Sequence, residues 1–389
     1  MSSRAAFPLV PSAVEGSEAE GSEGFAFRRT QRMKKTSVTY ADSGVDIAQS
    51  DRAKQRIRQL AKKTLDRNVL GGGGGFGGLF ALDRRRWKSP VLVSSTDGVG
   101  TKLKVAFATG SHRSVAADLV NHCATDIAVQ GATPLFFLDY FACGKLNPEV
   151  LEQVITGLSQ ACRAHRCALL GGETAEMPGF YGEGEYDLAG FIVGVVERSR
   201  ILDGSKIQAG DLVLGLPSAG LHTNGYSLAR RLLLETGGYA LEDELPRLGS
   251  SVAEELLKPH RSYAAILDRL NQAGVLKGAA HITGGGIPGN VPRILPKGLE
   301  AHVEAGSWPE PPVFPLLREI GNVPEDEMRR TFNLGIGMAL VVSPKKMEKA
   351  AAILKQAKEK FYRIGWIARG SRGVVYEEGR PGIVGSLTG

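Results

Sequence analysis

The sequence predicts a mixed α/β protein of two domains, and three observations carry that expectation. The chain has 389 residues, a length that suits two cores at roughly 100–200 residues each. Apolar residues make up 42% and charged residues 23%, the balance of a folded chain rather than a disordered one. Short apolar runs of strand type alternate with stretches of helical period along most of the length. Glycine is the compositional outlier, 50 of 389 residues where about 7% is usual. The glycines cluster without a fixed period, which excludes a collagen-type repeat and marks sharp turns or close backbone approaches.

Residues 1–35 read as a disordered extension. The stretch from Glu15 to Gly24 is acidic, low in complexity and free of large apolar groups, so it buries too little surface to fold. Pro8 and Pro11 break the early apolar stretch, which argues against a secretory signal. Met33 offers a second start of translation.

The first domain is expected over 36–205. From Asp51 to Arg67, Ile57, Leu60, Ala61 and Leu65 recur at helical spacing, with Arg56, Arg58, Lys62, Lys63 and Arg67 opposite. A glycine run from Gly71 to Gly78, broken by Phe76, follows. Val91 to Thr96 reads as a buried strand that ends at Asp97-Gly98. A helix over 114–130 precedes a strand over 135–140. The helix over 148–165 has Asn147 as its N-cap and Pro148 in its first position. Strands over 167–170, running into Gly171-Gly172, and over 188–196 complete this domain.

The second domain, 206–389, opens with a strand over 210–217 and is helical to about 275. A glycine turn at 284–286 and a strand over 338–342 come next. A helix capped by Ser343-Pro344 and a strand over 362–368 close the pattern.

Charge and cysteine usage narrow the function classes. The net charge is 48 − 41 = +7, but the basic residues are scattered among acids and lack aromatic interleaving, so a nucleic-acid partner is not expected. Cys123, Cys143, Cys162 and Cys167 form no C-x-x-C pair and read as reduced core residues of a cytoplasmic protein. No run reaches the ~18 apolar residues of a membrane span.

The motifs point to phosphate chemistry. Gly72, Gly74 and Gly77 satisfy G-x-G-x-x-G, but a helix precedes them where a dinucleotide site needs a strand. A flexible linker and a phosphate-covering segment both remain open. In Thr96-Asp97-Gly98-Val99-Gly100-Thr101-Lys102, a strand-end carboxylate stands beside two glycines and a lysine. That order suits a magnesium–phosphate site, but taken alone an Asp-Gly turn with a solvated lysine is the favoured reading. Asp118 and Asp126 share a helical face, Asp139 lies inside an apolar strand, and Glu173 and Glu176 follow paired glycines. Such repeated placement favours a metal-assisted nucleotide site, because an unpaired carboxylate in a core costs several kcal/mol. Ser218 to Ser227, with His222 and Asn224, forms an anion-binding corner ahead of a helix. His222 is either an acid–base group or a capping side chain. His281 to Gly286 with Asn290, and Arg330 to Asn333 before Gly335, repeat the corner.

At these residues the chain resembles the aminoimidazole ribonucleotide synthetase (phosphoribosylformylglycinamidine cyclo-ligase) family. The segments that carry the likeness are YADSGVDI at 40–47, GGFGGLFAL at 74–82, STDGVGTKL at 95–103 and PLFFLDYFACGKL at 134–146. GGETAEMPGFY at 171–181, HTNGYSLARRLL at 222–233, HITGGGIPGNVPRILP at 281–296 and RTFNLGIGM at 330–338 continue it in order. The likeness implies ATP-dependent closure of formylglycinamidine ribonucleotide to 5-aminoimidazole ribonucleotide in purine synthesis, with ADP and phosphate released. The formamide oxygen is phosphorylated, and the amidine nitrogen then attacks the activated carbon.

It also implies an ATP-using synthetase fold and a homodimer whose N-terminal domains share a β-barrel. Asp97, Asp126 and Glu173 become the expected Mg2+ carboxylates. Gly74, Gly75, Gly77, Thr101, Lys102 and Asp139 are expected on the nucleotide side. Ser218, His222, Asn224 and Asn333 are expected on the substrate side, and His222, Asp97 and Lys102 are the catalytic candidates. Thr125 stands where the family often has asparagine, and five consecutive glycines lengthen the glycine segment. A selenophosphate synthetase is disfavoured, since no cysteine lies between Met1 and His122. A basic RNA-binding protein leaves the spaced acids unexplained.

Overall fold

In a computed structural model, residues 47–72 and 75–378 are described. The expected extension 1–35, the segment YADSGVDI up to Asp46, Gly74 and the end 379–389 lie outside them. The strands are β1 (Val69–Leu70), β2 (Leu79–Phe80), β3 (Pro90–Gly98), β4 (Thr133–Cys143), β5 (Ala168–Glu176), β6 (Tyr186–Glu197) and β7 (Leu212–Pro217). They continue with β8 (Glu244–Leu245), β9 (Ser250–Ser251), β10 (Leu276–His281), β11 (Leu299–Glu304), β12 (Ile336–Val342), β13 (Tyr362–Arg369) and β14 (Val374–Glu377). The helices are α1 (Ile47–Lys62), α2 (Leu103–Thr109), α3 (Arg113–Ala128), α4 (Pro148–Ala164), α5 (Tyr226–Arg230) and α6 (Val252–Leu256). They continue with α7 (Ala264–Gln272), α8 (Gly286–Asn290), α9 (Val313–Gly321), α10 (Glu325–Thr331) and α11 (Met347–Gln356).

Two sheets organise this mixed α/β fold. The first has the order β3-β6-β4-β5, and the second β10-β12-β7-β13-β11-β14. Only β4 with β5, joined through α4, and β11 with β14 run parallel; the other neighbours in the two sheets are antiparallel. The expected alternation of strand and helix thus produces one parallel crossover unit within largely antiparallel sheets.

The helix α4 forms as its sequence dictates. Asn147 accepts hydrogen bonds from the Glu149 and Val150 amides, Pro148 follows, and Leu151, Val154, Ile155, Leu158 and Cys162 fall on the buried face. Gly157 lets α4 approach α3 closely, since a Cβ there would stand 2.2 Å from the Arg113 carbonyl oxygen. These helices cover one face of the first sheet through Leu119, Ile127, Phe137, Phe141 and Ile192. The opposite face is partly covered, with Phe80 of β2 against Phe136 at 5.4 Å between ring centroids, and open around Leu92 and Phe191, 64% and 44% exposed. The ladder places Leu92, Thr96, Phe191 and Leu138 on that same side.

Several strands differ from the sequence reading, with β1, β2, β8, β9 and β10 forming where no strand was expected. β5 does not stop at Gly171-Gly172 but runs to Glu176, because β4 supplies ladder partners from Phe136 to Cys143. β11 and β14 enter the second sheet without a strong apolar alternation of their own. In both cases tertiary pairing overrides a weak local signal.

Candidate functional site

Two cavities of about 580 Å³ each flank the first sheet. They open at its opposite edges, one beside β3 and the other beside β5.

The first cavity is built by alternation and helical spacing. Period two turns Val93, Ser95 and Asp97 of β3 toward α3, opposite to Leu92 and Thr96. On α3, His122 and Asp126 stand one turn apart on the same face. The end of β10 adds His281, and Asn290 and Arg293 are also among the lining residues. His122 Nε2 lies 2.9 Å from Asp97 Oδ2 and 3.7 Å from Asp126 Oδ2. His281 Nδ1 lies 2.8 Å from Asp126 Oδ1, and the Ser95 hydroxyl donates to Asp126 Oδ2 at 3.2 Å. Burial works against ionisation of Asp126, but the His281 hydrogen bond and the His122 and His281 charges outweigh it and hold the carboxyl below its usual range. Burial likewise opposes charge on His122; its bond to Asp97 and the surrounding carboxylates prevail and raise its pKa.

Behind these residues lies a run of buried imidazoles. Thr223 Oγ1 is 2.9 Å from His122 Nδ1 and 3.2 Å from His260 Nδ1, and His260 Nε2 is 3.1 Å from His281 Nε2. His222 stacks on His260 with ring centroids 4.2 Å apart. Burial, reinforced by neighbouring histidines, drives His222 and His260 well below the usual imidazole range. His222 also adopts φ 61°, a strained backbone conformation for a residue with a Cβ.

The second cavity lies under the glycine segment. Gly75, Gly77, Asp139, Gly172 and Glu173 line it together with Phe191. Burial pushes the Asp139 carboxyl up to about 7, against the pull of its own backbone amide. A Cβ on Gly172 would stand 2.4 Å from Asp139 Oδ1, so glycine is what allows β5 to pass this carboxyl.

The structure separates groups that the sequence reading joined. Asp97 and Asp126 meet in one cavity, whereas Glu173 lines the other. Within one chain, Glu173 thus faces a different cavity from Asp97 and Asp126. Around Asp97 and Asp126 the donors are two carboxylates and two imidazoles, where Mg2+ takes oxygen ligands almost throughout.

Lys102 lines neither cavity. Its ammonium is fully buried, 2.6 Å from Asp118 Oδ2, and donates to the carbonyls of His222 and Lys258. Thr101 pairs with the Ser227 hydroxyl at 3.1 Å. Ser218 donates to Asn333 Oδ1, and Asn333 Nδ2 donates to the Gly220 carbonyl, so these two brace each other. The Asn224 amide nitrogen is buried without a partner. His122, His260 and Thr223 are the site residues that sequence reasoning missed. For His122 the four-residue spacing to Asp126 was a usable signal; His260 offered none.

Comparisons with known proteins identify the family of the chain. The family model for the AIR synthase related protein, N-terminal domain, matches residues 85–196, and the model for its C-terminal domain matches 208–378. A phosphoribosylformylglycinamidine cyclo-ligase of Syntrophotalea carbinolica is 53% identical over 89% of this chain and 97% of its own. One of Thermoanaerobacter pseudethanolicus is 48% identical over 87% of this chain and 100% of its own. Among solved structures, thiamine-monophosphate kinase from Stenotrophomonas maltophilia superposes with a TM-score of 0.61 at 22% identity, over 86% of this chain and 97% of that one. Hydrogenase maturation protein HypE in complex with ATP gives 0.61 at 16% identity, over 84% and 91%. These two likenesses show a shared fold. The identities near one half over almost full lengths show more: the chain is a ligase and belongs to the phosphoribosylformylglycinamidine cyclo-ligase family.

Proposed function

We propose that the protein closes the imidazole ring of 5-aminoimidazole ribonucleotide from formylglycinamidine ribonucleotide, with ATP converted to ADP and phosphate, as a step of purine synthesis. Membership of the cyclo-ligase family is the observation that carries this reading. The roles follow from chemistry. An amide oxygen is a poor leaving group, and ATP supplies the phosphoryl group that activates it. Holding the activated carbon against the amidine nitrogen then makes ring closure an intramolecular attack.

The glycine-side cavity suits the nucleotide. Bare amides of Gly75 and Gly77 can donate to phosphate oxygens, and Glu173 is the carboxylate placed to meet the Mg2+ that accompanies them. The carboxylate cavity suits the reacting formamide. Arg293 offers positive charge for a phosphate there, and the ionised Asp126 favours a cation beside the transferring phosphoryl group. Lys102 acts in this reading as an internal support, and His222 as a member of the histidine run.

A homodimer joins the two cavities. The open face, carrying Leu92 and Phe191, is apolar where a monomer would be polar, and Phe191 also lines the glycine-side cavity. Pairing of two such faces supports a shared barrel with nucleotide at the interface. Four buried free thiols and the lack of any described helix long and apolar enough to cross a membrane are in keeping with a cytoplasmic enzyme.

The test follows ADP release and formation of the arylamine product with and without formylglycinamidine ribonucleotide. Both signals are expected to require that substrate. Asp97→Asn is expected to remove most turnover while the fold persists. ADP release indifferent to the substrate would reject the function.

A further inference from the structure

We propose that Asp97, His122, Asp126 and His281 form a binding site for a first-row transition-metal dication of the Mn2+ to Zn2+ group, preferred there over Mg2+. The site deepens the carboxylate-cavity part of the proposed function and rests on that reading for its catalytic meaning, though not for its existence.

The ligand atoms of His122, Asp126 and His281 lie within 4.8 Å of one another at one corner of the cavity, and Asp97 stands against His122 beside them. His122 Nε2 is 2.9 Å from Asp97 Oδ2 and 3.7 Å from Asp126 Oδ2, and His281 Nδ1 is 2.8 Å from Asp126 Oδ1. Ligands held about 2.0–2.2 Å from a tetrahedral ion stand roughly 3.3 Å apart, so small rotations suffice. Two imidazoles with two carboxylates suit Mn2+, Fe2+, Co2+ or Zn2+, whereas Mg2+ demands oxygen. The imidazoles are nearly enclosed, 6% and 4% exposed, while Asp97 and Asp126 keep 35% and 27% exposure toward the cavity. An ion can therefore enter from the cavity.

A bound cation would also settle the hydrogen bonding of the run behind the site. Asp97, His122, Thr223, His260, His281 and Asp126 form one unbroken run of five contacts. Each contact needs one hydrogen, but three neutral imidazoles and one hydroxyl own four between them. Without a cation or an added proton, one contact sets acceptor against acceptor. A bound dication removes the shortage. His122 then turns the Nε2 lone pair to the ion and donates from Nδ1 to Thr223. His281 turns Nδ1 to the ion and donates from Nε2 to His260, whose Nδ1–H donates to Thr223. Three remaining contacts meet three imidazole hydrogens. The outer partners Thr223 and His260 thereby fix the tautomer and aim of both ligands, as such partners do at metal sites.

The other cluster of histidines, His222 with His260 and His281, is a poorer candidate. His222 Nε2 accepts from the Ala219 amide, so Nδ1 carries the hydrogen and has no lone pair to give.

The experiment uses the full chain, stripped with chelator and titrated with Co2+. The expected result is one saturable equivalent with the visible absorption of four- or five-coordinate cobalt, kept in a large excess of Mg2+. His122→Met is expected to weaken Co2+ binding at least tenfold, and His260→Phe, which does not touch the ion, by roughly tenfold or more. Circular dichroism and melting report the fold of each variant. Displacement of Co2+ by equimolar Mg2+, a purely octahedral spectrum, or folded His122→Met protein that binds normally would overturn the proposal. The Mg2+ competition on the unaltered protein decides the matter even where a variant fails to fold. The substrate-dependent ADP assay stands apart: turnover without cobalt binding defeats only the metal site, and cobalt binding without turnover defeats only the enzymatic reading.

Discussion

Lys102 illustrates how a residue in a phosphate-like motif can be committed to structure. Its ammonium and the Asp118 carboxylate are both fully buried, and Asp118 also accepts from the His260 amide at 2.6 Å. Burial raises the Asp118 pKa, and Lys102 opposes that rise. The pair thus ties α3 to the segments around His222 and His260. Removing one partner leaves a buried charge uncompensated, which typically costs about 3–5 kcal/mol, whereas replacing both with apolar residues is often neutral. Lys102→Met is therefore expected to lower the denaturant midpoint strongly, and Lys102→Met/Asp118→Leu to regain most of the loss. Urea unfolding of both variants checks this. A double variant as unstable as the single one would refute the structural role, and recovered stability without activity would return Lys102 to the catalytic set.

At the level of elements, strong local patterns formed as read and weak ones yielded to their neighbours. The helix α4 had an N-cap, a first-turn proline and an apolar stripe in register, and all three appear. Loss of such a cap costs about 1 kcal/mol. Asn147→Ala is thus expected to lower the melting temperature by a few degrees without changing the fold, since two amides lose their acceptor. An unchanged melting temperature would mean water replaces the side chain at no cost. The strand β5 went the other way. Its glycine pair looked like an end, yet four further partner positions on β4, Tyr140 to Cys143, carry it on, and Glu173 is consequently set beside Tyr140 rather than beside Asp97.

For the whole molecule, the open face of the first sheet is the outstanding feature. Leu92 and Phe191 are exposed on a face whose other side is well packed. Covering it with a second copy buries apolar area at about 25 cal/mol per Å² and protects the sheet from unspecific association. The unaltered protein is expected to run at the mass of a dimer in light scattering, and Leu92→Asp/Phe191→Asp at half that mass. A monomeric parent, or a dimer indifferent to both charges, would remove the shared barrel from the proposal.

The sequence by itself determined the mixed α/β class and the helix α4 with its stripe and cap, and the resemblance it carries set Gly75, Gly77 and Asp139 on one side of the site, where they line one cavity. Tertiary structure alone decided that Glu173 parts from Asp97 and Asp126, that Lys102 turns inward, and that His122, Thr223, His260 and His281 meet. The reason is physical: periodicity and turn chemistry report on a few neighbouring residues, whereas His281 reaches Asp126 across 155 positions only because the end of β10 and the face of α3 come together at one cavity. A solitary histidine carries no period, so nothing short of the folded core reveals which carboxylate it will face.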